Sequence, residues 1–357
     1  MKLRPSPWKR HRVGLLIALA VVVSVAVPLL IGGGTSIAQI RELSGDTYLV
    51  LFTIMAAGWF ARALKFHLLL ERLGARVFFP RTFAMSLAID FAFMSTPAGV
   101  GGYAASVYCS RRAGVSLSAA TTVTFMDQFL DLAFFTLALP LAALSLAWTN
   151  FSSTLTLVAV GASVLVIVLV ALAIVMHRRL LRWLCGDNYF ARRWPNLHDR
   201  QHRLQAFVEN MKADSRILLS GPPATTALLL ASTALQWLTR YGVLWAALAL
   251  LGHAVPFALT LLSQSLILHA AMWTGVPAGG GGAELGLTAA LLAMVPASII
   301  ATALILWRLT TFHLCLVVGA AAIAWLAKWD GSSIRIDANV ERGVLEPGPD
   351  ASSKTIA

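Results

Sequence analysis

The chain has 357 residues, of which 58% are hydrophobic and only 12% charged. About a quarter of the residues of a soluble domain are charged, so this chain has too little polar surface to cover a globule of its size, and a water-soluble enzyme or binding domain is excluded. Its net charge of +12 sits in stretches between apolar runs, the pattern of membrane loops rather than the aromatic-interleaved basic face of a nucleic-acid binder.

A helix needs about 20 apolar residues to cross a bilayer. A basic terminus, 1–12, precedes the first apolar run at 13–31, which is too long for a signal-peptide core and reads as a span leaving the cytoplasm. Residues 32–47 read as an external loop. The span 48–70 returns and delivers Arg72, Arg76 and Arg81 to the inside. The next stretch, 82–110, is apolar apart from Asp90, has basic residues at both ends, and is interrupted at its centre by Ser95-Thr96-Pro97-Ala98-Gly99. Each arm has about 15 residues, roughly 22 Å of helix, too short to cross. A single crossing would also export every later basic loop, so the stretch is predicted to be a re-entrant hairpin entered from the cytoplasm.

Residues 117–140 then cross outward and 155–176 return. The basic segment 177–221 divides the chain into two membrane halves, 13–176 and 222–328. The span 224–251 crosses outward again. No Lys or Arg occurs between Tyr241 and Trp307, as expected of loops that stay outside. Within that tract Val276-Pro277-Ala278-Gly279-Gly280-Gly281-Gly282 breaks a second apolar run, and 296–327 returns to the cytoplasm. The tail, 329–357, reads as disordered. The fold class is therefore an all-α integral membrane protein with about six full spans and two Gly/Pro-broken re-entrant hairpins. Cys109, Cys185 and Cys315 are widely separated and form neither a disulfide framework nor a zinc site; no cofactor is implied.

The two breaks share the pattern P-A-G-x-G-G, with Pro97, Gly99 and Gly101 in the first matching Pro277, Gly279 and Gly281 in the second, 180 residues on. Arg62 lies twelve residues before Gly74, as Arg240 does before Gly252. The halves thus read as repeats of opposite topology, the arrangement that places a transport site near the bilayer midplane. Broken backbone there must face protein or a polar cavity. The alternative is a glycine-lined packing kink.

Ionisable residues inside a membrane are costly and ask for a partner or a function. Those inside these spans are Arg62, Asp90, Asp127, Asp131, Arg240, Glu284 and Arg308. Asp127 and Asp131 are one helical turn apart and need a nearby cation or a proton. Glu284, at the start of a half-helix, has the helix N-terminus, Arg308 or Arg240 as stabilising partners. Arg62 has the further option of snorkelling to the interface. His253, His269 and His313 lack metal-ligand spacing.

With these residues in view, the chain resembles the flippase-like family, also described as the transmembrane region of lysylphosphatidylglycerol synthase. Pro277-Ala278-Gly279-Gly280-Gly281-Gly282-Ala283-Glu284 is similar to that family's P-x-G-x-G-x-x-E segment. Trp307-Arg308-Leu309-Thr310-Thr311 is similar to its R-x-x-[ST] helix. Thr96 to Gly101, Arg111 to Gly114 and Asp131 fit the first repeat, whereas Gly102 and Gln128 replace an acidic residue and an arginine common in the family.

The resemblance and the paired breaks together imply transport or flipping of a polar or phosphate-bearing lipid across a bacterial inner membrane, with both termini cytoplasmic. Arg240 and Arg308 would hold an anionic headgroup, with Arg62, Asp127, Asp131 and Glu284 along the path. An enzyme is disfavoured, since H-E-x-x-H, G-x-S-x-G and Walker A motifs are absent. The alternative is a non-transporting accessory protein of lipid, hopanoid or envelope-polysaccharide synthesis, its 177–221 segment docking a cytoplasmic enzyme or anionic lipid.

Overall fold

A computed structural model describes residues 7–148, five positions between 161 and 176, residues 195–328 and the pair 335–336. The 155–176 span, Cys185 and the first residues of the basic terminus lie outside the described residues, apart from those five positions.

The protein is an all-α membrane protein. Helix α1 (Pro7–Glu42) is followed by α2 (Gly45–Arg72), the hairpin arms α3 (Phe79–Ser95) and α4 (Val100–Arg112), and α5 (Leu117–Trp148). The second half comprises α6 (Pro195–Leu219), α7 (Pro223–Leu250), the hairpin arms α8 (Phe257–Met272) and α9 (Gly282–Leu291), then α10 (Ala297–Arg308) and α11 (Leu314–Ala327), which are joined by a π-helical turn at Leu309–His313. Stretches 14–42, 45–72, 117–148 and 297–327 are each long and apolar enough to cross a membrane. The fifth candidate, α7, meets α6 at a 96° bend. At 28 residues α7 is about 42 Å long, ample for a crossing.

One expectation needs correction. Residues 32–42 form helix, not a loop: the chain kinks at Gly33 (φ 60°) and resumes. Their polar groups are used in packing against α10, where Ser36 Oγ donates to the Ser298 carbonyl and Thr302 Oγ1 donates to Gln39 Oε1 at 2.6 Å. In the tail, Arg335–Ile336 pairs antiparallel with Ala75–Arg76. The rest of the tail lies outside the described residues. Helix α5 is a single rod that runs on past Pro140 to Trp148.

The internal repeat is visible in the elements themselves. Helices α2 and α7 both have 28 residues, and each is followed by a left-handed glycine, Gly74 (φ 81°) or Gly252 (φ 83°). Arms α3 and α8 then begin at Phe79 and Phe257. The two repeats run in opposite directions: α2 and α7 pack along their length, with Arg72 at the end of α2 donating to Thr226 Oγ1 and the Pro222 carbonyl at the start of α7. Midway, Gly58 allows close approach, since a methyl group there would lie 2.6 Å from Thr239 Oγ1.

Both hairpins close on themselves. The start of α3 and the end of α4 share one buried cluster with Val77, Met85, Cys109 and Ala113, and Arg81 lies within electrostatic reach of Arg112. In the second hairpin Gly286 leaves room for Ile267, whose Cγ2 a methyl group would meet at 2.6 Å. Each hairpin is then gripped by the other half: α11 packs on α3 and α5 on α8.

Candidate functional site

The two P-A-G breaks have the same backbone. Ala98 (φ 51°, ψ 16°) and Ala278 (φ 51°, ψ 20°) are both left-handed, followed by Gly99 (φ 69°) and Gly279 (φ 65°). An L-residue in this region costs about 1–2 kcal/mol, so the packing around both turns must hold it. The turns after Pro97 and Pro277 pack against each other, and a methyl group on Gly99 would lie 3.2 Å from Met272 Cε. The second turn also touches the centre of the first apolar run: Cβ atoms on Gly281 and Gly280 would lie 3.0 Å from Val23 Cγ1 and 3.4 Å from the Ala20 carbonyl oxygen. Both apices therefore sit midway along a full-length apolar helix.

At matched positions one backbone amide is capped differently. Gly101 N–H donates to Thr96 Oγ1 at 2.9 Å, and Gly281 N–H (φ 84°) donates to Glu284 Oε2 at 2.7 Å. The hydroxyl of Thr96 thus does for the first apex what a carboxylate does for the second. A carboxylate there also complements the positive end of α9. Of the three partners open to Glu284, the structure selects the helix N-terminus and Arg308, whose Nε lies 2.6 Å from Glu284 Oε1. Arg308 Nη1 donates to the Ala278 carbonyl at 3.0 Å, and its guanidinium stacks 4.5 Å from the Trp307 ring centroid. Both charges are buried, Glu284 at 0% and Arg308 at 2% exposure. Arg308 thus braces the second apex and is committed to protein groups through Nε and Nη1.

The first half holds a larger cluster. Arg62 Nε lies 2.9 Å from Asp90 Oδ1 and its Nη2 3.8 Å from Asp127 Oδ2. Arg62 therefore does not snorkel; it is buried, with its guanidinium 5.5 Å from the Phe93 ring centroid. Lys65, which sequence reasoning overlooked, is completely buried and bridges Asp127 (2.7 Å) and Asp131 (2.6 Å). It supplies the cation that the two stacked carboxylates require. The available signal was its position three residues after Arg62, on the same face of α2. Asp131 also accepts from Trp237 Nε1 at 2.9 Å, and Gln128, standing where the family often has arginine, donates to Asp127 at 3.3 Å.

Arg240 differs from the other three cations. It is partly buried, makes no ion pair among the described residues, and donates only to Met94 Sδ at 3.5 Å. The structure thus brings Arg62, Asp90, Asp127 and Asp131 into one network and Glu284 and Arg308 into another, while leaving Arg240 outside both. Among the described residues no group of three His, Cys, Asp or Glu side chains is placed to hold a metal ion. What the arrangement offers chemically is fixed, buried charge beside broken helix ends, suited to holding a polar group at membrane depth.

A relative from Archaeoglobus fulgidus, named a UPF0104 membrane protein, is 22% identical over 313 residues, covering 85% of this chain and 95% of its own length. The model of the family described as the lysylphosphatidylglycerol synthase TM region matches residues 16–319. That span takes in both hairpins and every buried ion pair described above, and the chain belongs to this family.

Proposed function

We propose that the protein moves a polar or phosphate-bearing lipid across a bacterial inner membrane, with both termini on the cytoplasmic side and no chemistry performed on the lipid. The observation that carries this reading is the meeting of two oppositely inserted broken hairpins at the depth of the centre of α1. Peptide groups at such breaks cannot be left facing hydrocarbon, and paired breaks in inverted repeats are the architecture of an alternating-access site. The Glu284–Arg308 pair holds the second apex. The exchanged grips of α5 on α8 and α11 on α3 couple each hairpin to the opposite half, so that one half can rock against the other.

The test is headgroup translocation in liposomes carrying the purified protein and a fluorescent phospholipid, read by external quenching. Wild type should expose inner-leaflet label to the quencher, and monodisperse Glu284→Gln and Arg308→Ala variants should not. Equal rates in wild type and both variants would defeat the reading.

A further inference from the structure

We infer that Arg240 and Gln236 on α7 form a seat for a phosphate oxyanion beside the first apex. This deepens the transport reading and rests on it.

Among the described residues, four cations stand in the membrane-embedded core away from the helix starts: Arg62, Lys65, Arg240 and Arg308. Arg62, Lys65 and Arg308 each hold a carboxylate at 2.9 Å or less. Arg240 holds none among the described residues; its one hydrogen bond goes to the thioether of Met94, at the apex end of α3. A thioether is a weak acceptor, whereas a guanidinium presents five donors. One helical turn before Arg240 stands Gln236, 3% exposed, whose Oε1 and Nε2 have no hydrogen-bond partner among the described residues. An unsatisfied buried amide costs about 1–3 kcal/mol. Residues four apart share a helix face, so Gln236 and Arg240 lie on one stripe of α7. A guanidinium with its fork open selects oxyanions and matches phosphate geometry. A neighbouring carboxamide N–H extends the same grip to another phosphate oxygen. Phosphate on a lipid headgroup and free phosphate share this chemistry.

The experiment uses the full chain in neutral detergent and measures calorimetric binding of dioctanoyl phosphatidic acid, dioctanoylglycerol and inorganic phosphate. Phosphatidic acid should bind at least about tenfold more tightly than dioctanoylglycerol, as expected for a charge-assisted contact. Arg240→Gln should remove that preference, and Arg240→Lys should keep part of it. Gln236→Leu should weaken phosphatidic acid binding about three- to tenfold while raising the melting temperature of the lipid-free protein, a pairing that a merely structural glutamine would not give. Displacement of the lipid by inorganic phosphate supports a seat for phosphate itself; failure to displace it, with the Arg240 dependence intact, supports a lipid headgroup. Equal binding of the two lipids by wild type, or unchanged phosphatidic acid binding in Arg240→Gln, overturns the proposal. If flipping in liposomes survives that result, only the seat falls. If phosphatidic acid binds as expected but nothing flips, only the transport reading falls.

Discussion

Replacing Glu284 by Gln removes one charge and little else. The amide oxygen of Gln can still accept the Gly281 N–H, so the cap on α9 is retained in form. What changes is Arg308, left 2% exposed without its anion. Removing one partner of a buried ion pair costs about 3–5 kcal/mol. The remaining bond to the Ala278 carbonyl and the stacking on Trp307 hold the loss near the lower end. Arg308→Met should cost less, since α9's N-terminus offsets a carboxylate by about 0.3–2 kcal/mol. The double variant carries no unpaired charge, and neutral replacement of a buried pair is often nearly free. A double-mutant cycle, read by reversible unfolding in mixed micelles, should therefore show a coupling of about 2 kcal/mol or more between the two positions. Losses that add to within about 0.5 kcal/mol would refute the argument that these groups act as a pair bracing the apex.

Lys65→Met leaves Asp127 and Asp131 facing each other without their bridge; it should cost about 3–5 kcal/mol, and adding Asp131→Asn should recover part of that in the same unfolding assay. Cysteines placed at the exposed positions Arg76 and Arg112 should react with a membrane-impermeant thiol reagent from the same side, because the two arms of the first hairpin end together; labelling from opposite sides would abolish the hairpin. Gly319→Ala should lower the melting temperature by the equivalent of about 1–3 kcal/mol, since the added methyl would lie 2.6 Å from Phe91 Cβ and 2.8 Å from the backbone oxygen of Leu87.

The breaks and the repeat were legible in the sequence because Pro-Ala-Gly cannot continue a helix and appears twice at matched distances. The hairpin reading followed from where arginines stand relative to Pro97. The choice of partner for Glu284 was not legible: Arg240 and Arg308 are equally suitable by type, and only packing brings α10 rather than α7 to the second apex. Lys65 escaped notice because a long apolar run tolerates one lysine near its end by snorkelling, and burial depends on α5 lying across it. The helical form of residues 32–42 was not legible, because three consecutive glycines and several polar residues follow the apolar run there. Ser36 and Gln39 instead spend their polarity on α10, a use that no local pattern announces.

The π-helical turn at Leu309–His313 sets the phase between two surfaces with different obligations. Upstream, α10 must aim Arg308 at the second apex while lying along α1; downstream, α11 must turn Gly319 toward Phe91 of the first hairpin. The widened turn accommodates one residue more than an α-helical turn would. Trimming a residue from it would rotate everything beyond by about 100°. Gly319 would leave its groove and a bulkier neighbour would face α3, uncoupling the first hairpin from the rod that also braces the second.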